Sequence, residues 1–264
     1  MAFNQIEFKR ALLNLAINSN TPPEFSLHVF ETLPSTNQKL WQLLETEIDS
    51  PVVVLATEQT AGKGQWGRTW QSQPGGLYLS VSLKTSLTVA DSLPLTIASA
   101  WGIARALRQQ QIPLLLKWPN DLILNGRKLG GILTETRIQN QKITQIVIGV
   151  GINWSNSVPH SAINLQSFCQ QQSLDSITSL EQLAAITFTG ILSGNQTYLH
   201  EGLKELLPSY LELLINQGCS VTIDGLPGKV IGVSSNGQLR IRLQSLGATT
   251  EILCPPGTIS LGYD

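Results

Sequence analysis

Charge is scarce in this chain. Lys, Arg, Asp and Glu make up 13% of its 264 residues and sum to a net −1, so there is no basic footprint of the kind that draws a protein to nucleic acid. Cysteine is scarce too. Cys169, Cys219 and Cys254 lie far apart and form no C-x-x-C pair, which predicts reduced thiols in a cytoplasmic protein rather than a disulfide framework. His28, His160 and His200 are equally isolated and no G-x-S-x-G occurs, so neither a zinc site nor a Ser/His/Asp triad is signalled. No apolar run reaches the roughly 20 residues of a membrane span. Glu7, Lys9 and Arg10 interrupt the apolar pattern near the N-terminus, against a signal peptide. Internal repeats are lacking.

What is present is enough apolar residue, 42% of the chain, for one sizeable core and a small second unit. Residues 4–18 predict an amphipathic helix, with Ile6, Leu12, Leu13 and Ile17 near one face, ended by Thr21-Pro22-Pro23. A strand over 27–32, a helix from Ser35 to about Leu44, strands at 52–57 and 77–84, and a helix over 94–109 follow from their periodicities. Leu114–Trp118 and Asp121–Leu124 predict a hairpin around Pro119, with Asn125-Gly126 as a turn. Lys128–Arg137 and Ile143–Asn153 complete the strands of the first part. Residues 155–175 read as polar and irregular, and Leu180–Leu192 and Tyr198–Gln217 as two helices. Beyond Gly218 come short β runs at 220–223, 229–233, 239–243 and 251–254, the middle two joined by Asn236-Gly237. The expected division is an α+β domain over 1–218 and a small β-barrel over 219–264.

The most informative string is Thr60-Ala61-Gly62-Lys63-Gly64-Gln65-Trp66-Gly67-Arg68. It satisfies the G-x-G-x-x-G dinucleotide fingerprint, which requires a strand before the loop and a helix after it. Val52–Ala56 supplies the strand, but Leu77, Leu79, Val81 and Leu83 alternate with Tyr78, Ser80 and Ser82. Period two means a second strand, so a Rossmann loop is excluded on context. The glycines still let a ligand approach the backbone, and Lys63 and Arg68 bring positive charge to it.

Four further strings accompany the loop: Ser35-Thr36-Asn37, Lys117-Trp118-Pro119-Asn120-Asp121, Lys128-Leu129-Gly130-Gly131-Ile132-Leu133-Thr134-Glu135 and Gly149-Val150-Gly151-Ile152-Asn153. In this order they resemble the catalytic domain of bacterial biotin protein ligases, from about residue 28 to the end. The resemblance implies a mixed-sheet α+β ligase domain with an SH3-like C-terminal barrel. It implies a two-step reaction with ATP, Mg²⁺ and biotin: the biotin carboxylate attacks the α-phosphate to give biotinyl-adenylate, and a lysine of the biotin carboxyl carrier protein of acetyl-CoA carboxylase then displaces AMP.

Residue by residue, the resemblance makes Lys117 and Arg68 catalytic. Spacing alone favours Lys117 as a surface lysine paired with Asp121. Ser35, Thr36, Asn37 and Gln59 would bind the biotin ureido ring, although Ser35 with Gln38 also spells a capping box. Gly62, Lys63, Gly64 and Gln65 would close over biotin, and Gly130 and Gly131 would let the backbone approach it, their alternative being a β-bulge. Lys63, Arg68, Trp70, Lys117, Asn120 and Asn153 would contact the nucleotide, with Trp70 equally readable as core. Asp121 is a candidate metal ligand.

Three departures from the family pattern stand out. Only some 27 residues precede the first catalytic strand, too few for the winged helix-turn-helix of repressor-type members, so a monofunctional enzyme is expected. The family loop G-R-G-R-x-G is here Gly62-Lys63-Gly64-Gln65-Trp66-Gly67, predicting weaker retention of the adenylate. The chain ends Ile259-Ser260-Leu261-Gly262 without the arginine that often follows the leucine. Glycine content and exposed charge predict that residues 61–68 order only on ligand binding, and an exposed sheet edge could support a homodimer. The alternatives are a lipoate or octanoate ligase or transferase of the same architecture, and a non-catalytic nucleotide-binding adaptor.

Overall fold

The computed structural model describes residues 3–15, 24–46, 51–245, 248–259 and 261–262. Ile17 and Thr21-Pro22-Pro23 lie outside them. In chain order the elements are α1 (Gln5–Leu15), β1 (Ser26–Leu33), α2 (Thr36–Leu43), β2 (Val52–Gln59), β3 (Gly76–Thr88), α3 (Ser92–Gln109), β4 (Leu115–Lys117), β5 (Asp121–Leu124), β6 (Arg127–Gln139), β7 (Lys142–Asn153), α4 (Leu165–Gln171), α5 (Leu180–Glu201), α6 (Leu203–Leu211), β8 (Ser220–Ile223), β9 (Leu226–Val233), β10 (Leu239–Ser245) and β11 (Ala248–Cys254).

Seven strands form one mixed sheet in the order β1-β2-β3-β7-β6-β5-β4, in which β1 runs parallel to β2 and the other neighbours are antiparallel. Its two faces are covered by different elements, and β2 shows how the sequence encodes this. Val53 and Leu55 join the main core with α1, α3 and α5, whereas Val52, Val54 and Ala56 pack with Leu40 and Leu44 around α2. A strand buried on both sides reads as an unbroken β-branched run. Strand β3 differs: Leu79 and Val81 enter the main core, but Ser80 and Ser82, also buried, face the α2 side. That polar stripe under α2 is where the site forms.

Helices α3 and α5 touch at backbone distance. A Cβ on Gly102 would lie 2.1 Å from Gly190 O, and one on Gly194 would lie 2.2 Å from Ala98 O. Asn195 Nδ2 adds a hydrogen bond to Ser99 Oγ at 2.9 Å. This contact corrects the expected break between residues 192 and 198. Ser193-Gly194-Asn195 looks like a helix interruption, but the small residues admit the neighbouring helix, and α5 runs on to Gly202, whose φ of 80° ends it. The segment expected to be irregular over 155–175 contains α4, whose N-cap Asn164 accepts from Ser167 N at 2.9 Å.

The second sheet, β11-β10-β9-β8, is antiparallel throughout and fits an SH3-like unit. It is not loosely tethered. Val230, Val233, Leu239, Ile241 and Cys254 belong to the main core cluster, and Trp118 Nε1 donates to Gly237 O at 2.8 Å. Beyond α6 the chain crosses β4, with Leu116 N bonded to Leu213 O and Ile215 N to Leu116 O. That end of the large sheet is covered, and β1 is its other edge.

Candidate active site

The N-terminus of α2 is built around a polar network. Ser35 is its N-cap in extended conformation, but its side chain makes no capping bond, so the capping-box reading fails. Gln59 Oε1 accepts instead from Thr36 N at 2.8 Å and lies 3.1 Å from Thr36 Oγ1, while its Nε2 donates to Ser72 Oγ at 2.8 Å. Asn37 Nδ2 donates to Glu135 Oε2 at 2.9 Å, and Ser80 Oγ lies 2.6 Å from Asn37 Oδ1. Room for this comes from Gly149, where a Cβ would sit 2.2 Å from Asn37 Oδ1. Gly151 does the same for Trp70, whose Nε1 would be 2.4 Å from that Cβ and has no hydrogen-bond partner among the described residues. The G-x-G of β7 is thus the clearance for two side chains.

Lys117 ends β4, opposite Asp121 of β5. It is only 5% exposed, which rules out the surface-lysine reading, and its Nζ donates to Gly262 O at 2.6 Å. Asp121 takes the Lys128 ammonium at 2.6 Å, and Lys128 Nζ also stands 5.5 Å above the Trp70 ring. Asn120 Nδ2 donates to Ile132 O at 2.8 Å.

The glycine loop follows a defined path. A bridge joins Lys63 to Thr69, Gly64 N donates to Arg68 O at 2.7 Å, and a short 3₁₀ turn spans Gln65–Gly67. Trp66, with φ of 59° and 65% exposed, lays its ring against Gly257, where a Cβ would meet it at 3.1 Å. The loop and the C-terminal segment therefore meet over the same opening.

Together these elements enclose a cavity of about 620 Å³, within the range of small-molecule sites. Ser35, Thr36, Asn37, Gln59, Lys63, Gly64, Gln65, Arg68, Trp70, Lys117, Asn120, Asp121 and Gly131 line it. Three expected site residues do not. Gly62 is packed against Trp70 O and Ser72 Oγ, and Gly130 against Gly151 O, both with no room for a Cβ. Asn153 is buried beneath the site, donating to Ile163 O at 3.3 Å and accepting from Asn156 Nδ2 at 3.0 Å. A metal role for Asp121 fits poorly. Among the described residues it is the sole carboxylate of the lining, and it already holds an ammonium. Among the described residues no group of three His, Cys, Asp or Glu is placed to hold an ion. Not named as site residues from the sequence were Ser72, which holds Gln59, Ser80, hinted at only by the polar phase of β3, and the lining residues Gly257, Thr258, Ile259, Leu261 and Gly262, a segment noted only for its missing arginine.

Residues 29–153 match the Biotin/lipoate A/B protein ligase family. The chain carries a domain of that family. It is 27% identical to the bifunctional ligase/repressor BirA of Bacillus spizizenii, over 81% of this chain and 68% of the relative. It is 33% identical to BirA of Escherichia coli, over 71% and 59% respectively. A solved structure of the biotin protein ligase from Aquifex aeolicus in complex with biotin and ATP superposes with a TM-score of 0.67 at 24% identity, covering 86% of this chain and 95% of that one, a likeness of fold. The chain is a ligase with an α+β catalytic sheet. All three cysteines are free thiols, and among the described residues no helix is long and apolar enough to cross a membrane.

Proposed function

We propose that this ligase joins biotin to a lysine of the biotin carboxyl carrier protein of acetyl-CoA carboxylase through biotinyl-5′-AMP. The observation that carries the reading is the polarity of one cavity. Neutral hydrogen-bonding groups from Ser35, Thr36, Asn37 and Gln59 line one part of it, and Lys117, Arg68 and Lys63 bring cationic groups to its lining. A cyclic urea with two N–H groups and a carbonyl suits the first group, and a carboxylate beside a triphosphate suits the second. The relative in Paracoccus denitrificans, 32% identical over 42% of this chain, is a biotin–[acetyl-CoA-carboxylase] ligase, in keeping with that acceptor.

In the first step a carboxylate oxygen of biotin attacks the α-phosphorus and pyrophosphate leaves. Lys117, buried and fixed at a strand end, brings its ammonium to the charge developing between the two reactants, and Arg68 offers a planar fork to phosphate oxygens. Mg²⁺ enters as part of MgATP, since Asp121 is already engaged. In the second step the acceptor lysine, as free amine, attacks the activated carbonyl and AMP departs. No covalent enzyme intermediate forms, so rate comes from positioning and charge stabilisation.

The lipoate reading is disfavoured because a flexible acyl chain has no use for four converging polar side chains. An adaptor has no use for a buried lysine in the cavity wall. ATP–pyrophosphate exchange tests all three: biotin-dependent exchange is expected, lipoate-dependent exchange would select the rival ligase, and none with either would leave the adaptor.

A further inference from the structure

Ser80 Oγ stands 2.7 Å from Thr36 Oγ1 and 2.6 Å from Asn37 Oδ1. One hydroxyl proton cannot serve both contacts. Which it serves is decided elsewhere, at Glu135. The Asn37 amide nitrogen faces two acceptors, Glu135 Oε2 at 2.9 Å and Leu133 O at 3.4 Å, and Glu135 is itself held by Trp41 Nε1 at 3.1 Å. A carboxylate accepts only, so the NH₂ end of Asn37 must point to it and Oδ1 must point to Ser80. Oδ1 has no proton to give, and Ser80 therefore donates to it. The proton in the 2.7 Å contact must then come from Thr36.

We propose that Glu135 is a positioning residue that sets the hydrogen-bond polarity of the biotin site through Asn37 and Ser80, leaving Thr36 Oγ1 an acceptor towards the ligand. Neither Glu135 nor Ser80 lines the cavity, whereas Thr36 and Asn37 do. With its proton taken by Ser80 at 2.7 Å in preference to Gln59 Oε1 at 3.1 Å, and its N–H by Gln59, Thr36 offers lone pairs alone, which match a ligand N–H and repel a ligand carbonyl oxygen. A ring-embedded urea presents an N–H on either side of its carbonyl, so this polarity selects one orientation of it. Gly149, paired opposite Ser80 in β7, keeps the relay possible by leaving its position empty for Asn37.

The inference rests on the biotin reading of the site. Its test is calorimetric titration of the full chain with biotin, with steady-state KM values for biotin and ATP, on wild type, Glu135→Leu, Glu135→Gln and Ser80→Ala. Glu135→Leu and Ser80→Ala should weaken biotin about tenfold or more and leave the KM for ATP within about twofold. Glu135→Gln, which keeps an acceptor oxygen, should stay within about threefold of wild type. A merely structural role would move both KM values together, and that result overturns the proposal, as does unaltered biotin affinity in Glu135→Leu and Ser80→Ala. Should Glu135→Leu not fold, because Trp41 loses its acceptor, Ser80→Ala decides. A wild-type protein that does not bind biotin at all overturns the functional reading itself, a failure distinct from loss of the relay.

Discussion

Lys117 Nζ and Gly262 O are joined at 2.6 Å across 145 residues of sequence. A strand-end ammonium buried in the cavity wall thus has a carbonyl from the C-terminal segment as its partner, and an anionic reactant would have to exchange for it. Replacing Lys117 by alanine should lower biotin-dependent pyrophosphate exchange by about 10²–10³ while leaving the melting temperature close to wild type. Exchange within a few-fold of wild type would remove Lys117 from the chemistry.

The loop predicts slow or fast release according to residue 65. Gln65 lines the cavity as a neutral side chain, so Gln65→Arg should supply a guanidinium for phosphate oxygens. Dissociation of pre-formed biotinyl-adenylate, followed by trapping with excess acceptor, should slow by about tenfold or more. Equal off-rates in the two proteins would show that Gln65 does not govern retention.

Helix contact through glycine leaves no tolerance. Gly102→Ala places a methyl 2.1 Å from Gly190 O, and neither backbone can yield without parting α3 from α5. A loss of about 1–3 kcal/mol is expected, lowering Tm by roughly 3–10 °C. Calorimetry showing an unchanged Tm would contradict the close packing.

Acid stability should depend on Asp91. Partial burial pushes its carboxyl up, but hydrogen bonds from the Thr88 hydroxyl and N–H at 2.6 and 2.7 Å, and from the Tyr198 hydroxyl, outweigh it and hold the group below its ordinary 3.8. A depressed carboxylate stabilises the fold above the ordinary value, and the contribution is lost as pH falls through the folded one. The Tm gap between wild type and Asp91→Asn should therefore be full near neutrality and shrink from about pH 5 to about pH 3. A gap independent of pH would assign the bond no ionic character.

The large sheet was legible because its strands carry simple periodicities, and Asn125-Gly126 and Asn236-Gly237 mark turns with positive φ at Asn125, Gly126 and Gly237. The site was legible as strings, since glycine and polar residues interrupt apolar runs. What failed had one physical origin: a local pattern does not say what lies opposite. Gly194 reads as a breaker until α3 is set against it. Asn153 reads as a ligand contact until Asn156 and Ile163 claim it. Lys117 reads as exposed until the C-terminal segment covers it. Ser80 reads as one more polar residue of an alternating strand until Asn37 arrives above it.

The cavity draws its wall from Ser35 near the start of the chain and from Gly262 near its end. During synthesis the whole seven-stranded sheet leaves the ribosome well before residues 257–262 do, and domains generally fold as they emerge. Sheet formation and enzymatic competence are thereby separated in time. A nascent chain can reach a protected, native-like sheet while its active site still lacks one side, so turnover follows the formation of the sheet rather than accompanying it.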